Sequence, residues 1–312
     1  VIFCNYKLIS DQKKQLNIEI DQIKIDSNQK PVNGKVNIIN VWEEDFVTTF
    51  GKPTKDSGTK SFLSLQSAVK ALINDSINLL VTAPINKNNI QSEEFKFPGH
   101  TDYLAKELSG ESLMFMICDE LKVGLLTDHI PLKDINSHIT KQRIEQKFSL
   151  INESLKKDFG IQKPKIAVLS IDPHVGDGGV IGNDDQDLLK PVLLEIASKG
   201  NLVFGPFSSD SFFGSGLHKK HDAVLAIYHD QGLIPFKTLS FGSGVNYTAG
   251  LNKIRTSPDH GTGYDIAGKG LADSTSFKNA IFSAIDILKS RKLFDDLNKN
   301  PLTSSNSKTG KK

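Results

Sequence analysis

Short, almost uninterrupted apolar runs alternate with helical stripes along this chain. The runs at 122–126, 166–169 and 223–227 continue into Thr127-Asp128-His129, Ser170-Ile171-Asp172-Pro173-His174 and Tyr228-His229. Apolar runs of this length, bounded by turn residues, predict strands buried on both faces. The run at 79–84 predicts a further buried strand halted by Pro84, and Val1-Ile2-Phe3-Cys4 predicts a strand at the start. Between them, Leu65, Val69, Leu72 and Ile73 recur at helical spacing. So do Ile144, Phe148, Ile151 and Leu155, then Leu188, Leu189, Val192, Leu193 and Ile196 behind an Asn183-Asp184-Asp185 cap region, and finally Phe277, Ile281, Ala284, Ile285 and Leu288. Residues 11–58 are polar and mixed, with period-two fragments such as 36–41, and predict a peripheral segment. Strands alternating with helices predict an α/β fold with a largely parallel sheet and flanking helices.

The placement of the histidines gives this pattern its chemistry. In open α/β sheets, ligands sit beyond the carboxyl ends of the strands, where His129, His174 and His229 all fall. Asp128, Asp172 and Asp230 flank them, so the expected site combines imidazole nitrogen with carboxylate oxygen, a donor set suited to a divalent cation. A hydrogen-bonded histidine at a strand end is the competing reading for each one taken singly. Their separations of 45 and 55 residues make no local metal motif, so the fold must supply any convergence.

Composition narrows the partners. The 312 residues exceed the usual size of one core, which favours two lobes or one large α/β unit. A formal charge of +2 with scattered lysines gives no broad basic face for nucleic acid. No apolar stretch approaches the roughly 20 residues that span a bilayer, and no export signal is evident. The two cysteines, Cys4 and Cys118, lie in strand-like stretches without CxxC spacing, as expected of buried thiols in the cytoplasm.

Three other segments carry candidate binding residues. The glycine-rich 172–179 follows a strand and precedes a helix, where exposed amides suit an anion or cofactor; a tight turn is the alternative. Lys237, Asn246 and Arg255 bring two cations and an amide to a stretch dense in turns, which suits a phosphate or carboxylate, against solvated surface as the bland reading. His100 and Thr101 stand at an expected helix start, with simple N-capping by Thr101 as the competing explanation. His138, His218 and His221 lie in polar context and receive no role. No G-x-G-x-x-G and no P-loop occur.

Together these segments resemble the 4-hydroxythreonine-4-phosphate dehydrogenase family. The resemblance is carried by Val81-Thr82-Ala83-Pro84-Ile85-Asn86-Lys87, residues 97–104, 127–132, 172–179 and 228–237, and residues 241–270 including Thr256-Ser257-Pro258-Asp259-His260-Gly261-Thr262. It implies that His129, His174 and His229 hold one divalent cation per subunit (zinc, magnesium or cobalt), and that His100, Thr101, Lys237, Asn246 and Arg255 contact a small phosphorylated hydroxy-amino-acid. It also implies NAD, with NADP as an option, placed near Asp259, His260, Gly261, Thr262 and Asp265. The family fold is similar to that of isocitrate and isopropylmalate dehydrogenases, which bind NAD without the Rossmann glycines. By that analogy residues 1–100 and 250–300 form a first, NAD-side lobe, residues 101–249 a second lobe bearing metal and dimer contacts, and residues 301–312 a disordered tail. A homodimer with its active site at the subunit interface is implied as well. Family members open with a strand and a Gly-Asp-Pro-x-Gly-Ile-Gly-Pro-Glu segment, whereas Val1 here corresponds to a later strand, so an inner strand is expected to be missing.

The expected reaction is oxidation of a secondary alcohol by NAD followed by loss of carbon dioxide, with Asp210 and Asp230 as further carboxylates and Lys237 in proton transfer. A paralogous dehydrogenase of phospho-threonate or phospho-erythronate is the nearest rival. A silent metabolite-binding protein and a zinc hydrolase are more distant ones, the latter weakened by the absence of HExxH.

Overall fold

The computed structural model describes residues 1–108 and 110–300; the expected tail at 301–312 lies outside the described residues. Eleven strands form two sheets. β1 (Ile2–Cys4), β2 (Gln22–Ile25) and β3 (Val36–Asn40) make a small parallel sheet in the order β1-β3-β2. β4 (Leu79–Val81), β5 (Leu113–Ile117), β6 (Lys122–Leu125), β7 (Lys165–Leu169), β8 (Leu202–Phe207), β9 (Ala223–Ala226), β10 (Val245–Ala249) and β11 (Ile254–Pro258) make the large one. Its order is β4-β11-β10-β5-β6-β9-β7-β8.

The α/β class is as expected, and six of the nine strand pairings are parallel. The centre of the large sheet departs from a simple parallel sheet, because β5 and β10 introduce antiparallel pairings there. The cause is loop length: a parallel crossover needs about a dozen residues, and the links at 118–121 and 250–253 are far shorter. Both links therefore close antiparallel hairpins.

The segment expected to be peripheral is instead built into the small sheet. Gln22–Ile25 is a strand, and a helix at Tyr6–Gln15 is capped by the Asn5 side chain accepting from the Leu8 amide. The helix Lys55–Ile73 packs against β1 and β4 and so joins the two sheets.

Two faces of the large sheet have different company. The helices Lys141–Lys157, Lys190–Ser198 and Thr275–Asn298 cover one face, with Ile144, Ile151, Val192 and Ala284 buried against Phe115, Ile166, Leu225 and Tyr247. On the other face, helix His229–Ser240 covers β6 and β9 through Leu233 and Phe236. A separate cluster there joins Phe62, Leu65 and Leu72 of helix Lys55–Ile73 to Leu80, Phe95, Tyr103 and Leu104. The face of β10 and β11 turned away from helix Thr275–Asn298 carries Asn246, Thr248, Arg255 and Ser257. Beneath it a buried network ties the layers: Arg291 Nε donates to Asp158 Oδ1 at 2.6 Å and Tyr247 donates its hydroxyl to Asp158 Oδ2 at 2.6 Å.

Two expectations fail locally. Asn183-Asp184-Asp185 does not cap a helix: Asp185 is fully buried, and its carboxylate accepts from the amides of Ile171 and Asp172 at 3.0 and 2.8 Å. His218 and His221 are not in polar surroundings, despite their neighbours Lys219 and Lys220. His218 is buried against Phe213, and the ring of His221 packs among Phe204, Phe207 and Phe212. No helix of the described residues is long and apolar enough to cross a membrane.

Candidate active site

Strand alternation builds a polar stripe on one face of β10 and β11. Tyr247 and Thr256 are cross-strand partners facing the helical layer, where Thr256 Oγ1 donates to the Ala280 carbonyl. Their neighbours Asn246, Thr248, Arg255 and Ser257 therefore face the other way, where Thr248, Arg255 and Ser257 are buried. Arg255 is only 2% exposed, yet it takes part in no ion pair among the described residues. Thr82 Oγ1 accepts from its Nε at 3.1 Å and its Nη2 at 2.7 Å, and Thr248 Oγ1 accepts from its Nη1 at 3.1 Å. A guanidinium has five N–H groups, so one remains on each terminal nitrogen. Burial lowers the Arg255 pKa to about 10, which leaves the group charged at neutral pH. A buried cation without a counter-charge is costly unless an anion joins it.

The neighbours of Arg255 reinforce this demand. The Asn246 side-chain carbonyl is buried without a hydrogen-bond partner. His100 lies at the start of its helix, and burial holds its pKa well below the ordinary imidazole value, with the charges of Arg255 and Lys87 adding to the effect. The helix N-cap is Gly99 and no side chain caps it, so Thr101 is not the N-cap and its hydroxyl is not engaged there. Lys237 Nζ pairs with Asp259 Oδ1 at 3.0 Å. Burial raises the Asp259 pKa, opposed by the hydrogen bond and charge of Lys237.

The three histidine-bearing strands are neighbours, in the order β6-β9-β7. Two polar side chains clamp their carboxyl ends. Thr127 Oγ1 donates to the Ile227 carbonyl at 2.7 Å, locking β6 to β9. Gln231 accepts from the Ile227 amide at 2.6 Å and donates to the Ser170 carbonyl at 2.8 Å and to Ser209 Oγ at 2.9 Å. It thus joins the exits of β9 and β7 to the helix Ser209–Gly214 that carries Asp210.

His129 and His229 face one another with ring centroids 5.7 Å apart. The His229 Nδ1 is bonded to Asp230 Oδ1 at 2.7 Å, a carboxylate partner of the kind that fixes a ligand's tautomer. Burial lowers the His129 pKa, favouring the neutral ring whose lone pair a cation needs. The donor chemistry suits a divalent metal. The fold does not bring the three histidines together as a ligand set: no group of three His, Cys, Asp or Glu side chains among the described residues lies close enough to hold an ion.

His174 stands at the adjoining strand exit, beside Asp210. The Asp210 carboxyl is held below the ordinary aspartate range by the Ser208 hydroxyl first and then the Ser211 amide, with the charge of His174 adding to them. The glycine-rich segment is a tight turn: residues 174–178 all adopt positive φ, at 52, 58, 77, 44 and 66°. Gly176 is required there, because an added Cβ would lie 2.2 Å from the Gly182 carbonyl oxygen. Asp185 secures the entrance of this turn, and Asp172 Oδ2 accepts from the Asp184 amide at 3.1 Å on its return.

Asp259, His260, Gly261, Thr262 and Asp265 lie on the segment leaving β11. Asp259 is tied down through its amide to Ser276 Oγ at 2.8 Å, while a Cβ at Gly261 would meet open space. Thr82, Thr248, Gln231 and Lys87 are site residues that the sequence pattern did not single out. The first three are visible only as single polar residues within or beside apolar runs.

A buried guanidinium without an ion-pair partner among the described residues, on the same sheet as a facing pair of imidazoles, marks an α/β protein with a site suited to a small anion. The family model described as pyridoxal phosphate biosynthetic protein PdxA matches residues 1–284, and the chain belongs to that family. A 4-hydroxythreonine-4-phosphate dehydrogenase of Bacteroides thetaiotaomicron is 41% identical over 304 residues, covering 97% of this chain and 84% of the relative. One from a Sulfurihydrogenibium species is 43% identical over 294 residues, covering 94% and 90%. The crystal structure of the Klebsiella pneumoniae 4-hydroxythreonine-4-phosphate dehydrogenase superposes with a TM-score of 0.80 at 29% identity, covering 92% and 88%.

Proposed function

We propose that this chain catalyses the NAD-dependent oxidative decarboxylation of 4-phosphohydroxy-L-threonine to 3-amino-2-oxopropyl phosphate, a step of pyridoxal phosphate biosynthesis in the cytoplasm. The observation that carries the reading is Arg255, a buried guanidinium with two unused N–H groups and no acidic partner, on a sheet face shared with the unpartnered carbonyl of Asn246. A phosphate monoester supplies the missing charge and fits the planar fork. The names of the relatives point to the same substrate.

In this reading Arg255, Asn246, His100, Thr101 and Lys237 bind the substrate. The facing pair His129 and His229 marks the end of the site where the hydroxyl and carboxylate lie, with Asp230 orienting His229. One chain offers an incomplete set of ligands, so the cation belongs to a homodimer in which His174 of a second copy completes the set, with Asp210 beside it. When bound, a divalent cation supplies Lewis-acid polarisation of the hydroxyl, and a nicotinamide accepts the hydride. The segment bearing Asp259, His260, Gly261, Thr262 and Asp265 flanks the cofactor. Oxidation removes a hydride from the carbinol carbon and a proton from its hydroxyl. The resulting β-keto acid loses carbon dioxide, and the carbon left behind takes a proton. Lys237 Nζ, held by Asp259 at 3.0 Å, delivers that proton in this reading.

The test is NADH formation with 4-phosphohydroxy-L-threonine, with carbon dioxide measured in parallel and each run repeated after chelation and metal add-back. Equal yields of NADH and carbon dioxide, lost on chelation and restored by metal, are expected. A larger kcat/KM for phospho-threonate or phospho-erythronate would transfer the assignment to a paralogous dehydrogenase. Substrate turnover without NADH would overturn it.

A further inference from the structure

We propose that Lys87 is a substrate-binding residue whose ammonium stands with Arg255 and His100 around the phosphate group of the substrate. The inference rests on the phosphorylated-substrate reading above and adds a residue to it.

Lys87 sits on a loop fixed from three sides. Asn86 Oδ1 accepts from the amides of Asn88 and Asn89 at 2.9 and 3.0 Å, which sets the turn. Asn89 Nδ2 then donates to the Thr54 carbonyl and to Ser57 Oγ, both at 3.1 Å, anchoring the loop to the start of helix Lys55–Ile73. Gln91 Nε2 donates to the Lys87 carbonyl at 2.9 Å and to the Phe97 carbonyl at 2.8 Å, stapling the loop to the segment that leads into His100. The approach is close enough that a Cβ at Gly58 would fall 1.9 Å from the Asn89 carbonyl oxygen. So much bracing around an exposed lysine fixes the origin of its side chain.

The side chain itself is free. Lys87 is exposed and makes no ion pair among the described residues. Its stem runs over the entrance of helix His100–Glu107: a Cβ added at Gly99 would touch Lys87 Cε at 3.7 Å and no other atom within 4 Å. Its charge reaches both His100, which it depresses together with Arg255, and His129. The result is two permanent cations around a ring held neutral, without an acid paired to either. A phosphate monoester carries about −1.5 to −2 at neutral pH, which matches two cations. A carboxylate would leave one uncompensated. The geometry also divides the labour, Arg255 offering a rigid fork from below and Lys87 a mobile point charge from the side.

The experiment uses the full chain in its native assembly, with Lys87→Met and Lys87→Arg variants. Inorganic phosphate is the probe, titrated by calorimetry, and the KM for 4-phosphohydroxy-L-threonine is measured alongside. Lys87→Met is expected to weaken phosphate binding about 10- to 100-fold, the size of one hydrogen bond to a charged group, and to raise KM by the same factor. Lys87→Arg is expected to recover most of both. Thermal unfolding without phosphate should coincide for all three proteins, since the side chain holds nothing in the fold. Phosphate affinity of Lys87→Met within twofold of the unsubstituted protein, or no phosphate binding by either, would overturn the proposal. If phosphate binding falls as expected while the unsubstituted protein forms no NADH, the role of Lys87 stands and the assigned reaction fails.

Discussion

Thr82 Oγ1 accepts two hydrogen bonds from Arg255, at 3.1 Å from Nε and 2.7 Å from Nη2, across a sequence separation of 173 residues. This pair joins the exit of β4 to the face of β11 and fixes the orientation of the guanidinium, leaving two of its N–H groups unused. Thr82→Val keeps the shape and removes the acceptor. With hydrogen bonds to a charged group contributing about 1.5–3 kcal/mol each, the variant should lose roughly that much stability in urea unfolding and raise KM for the phosphorylated substrate, while Thr82→Ser should do neither. A Thr82→Val protein with unaltered KM would show that Arg255 needs no such support.

The buried ion pair of Arg291 and Asp158 predicts a larger stability effect away from the site. Arg291→Met leaves Asp158 with the hydroxyls of Tyr247 and Ser154 but no positive charge. Breaking one side of a buried pair costs about 3–5 kcal/mol, so a loss of that size is expected in equilibrium unfolding. A loss under 1 kcal/mol would mean that the network is solvated.

His100 predicts a pH dependence. Burial lowers its folded pKa well below 6.5, so between that value and about 6.5 the unfolded chain binds a proton that the folded chain does not. Its contribution to stability is complete above about pH 6.5 and declines as pH falls. His100→Asn should flatten the unfolding free energy between about pH 5 and 7. An unchanged slope in the variant would assign the dependence to other groups.

Strain in the His174 turn predicts a gain. Val175 holds φ at 58°, a conformation that costs a residue with a Cβ about 1–2 kcal/mol. Glycine has no such penalty but has about 0.5–1 kcal/mol more backbone entropy to lose on folding. Val175→Gly should therefore raise stability by about 0.5–1 kcal/mol, seen as a higher Tm. Gly176→Ala should lower it, since its Cβ would meet the Gly182 carbonyl at 2.2 Å. The opposite order of the two Tm values would contradict the left-handed turn.

The strand ends were legible in the sequence because β6, β7 and β9 are buried on both faces and leave nearly continuous apolar runs that stop at histidines. Their order was not legible, since β9, the last of the three along the chain, lies between β6 and β7. The direction of β5 and β10 was not legible from their apolar pattern, which reads the same either way. The links at 118–121 and 250–253 did carry the signal, being too short for any parallel crossover. His100 was read correctly at a helix start, whereas Asn246 and Arg255, expected in a stretch dense in turns, stand on strands β10 and β11. Thr82 and Thr248 were not, since a threonine in a strand is ordinary and only the three-dimensional approach of Arg255 gives them a task. The errors at His218 and His221 have the same origin: neighbouring lysines marked the segment as polar, whereas the fold turns both rings onto phenylalanines.

The central claim is that the substrate's phosphate supplies the counter-charge that Arg255 lacks. The most direct measurement is the ratio of kcat/KM for 4-phosphohydroxy-L-threonine to that for the same compound without phosphate, in the unsubstituted protein and in Arg255→Met. A polar site left unpaired by a substrate discriminates by about 10,000-fold or more, so a ratio of that order is expected in the former, collapsing in the variant. Equal turnover of the two compounds by the unsubstituted protein would contradict the account.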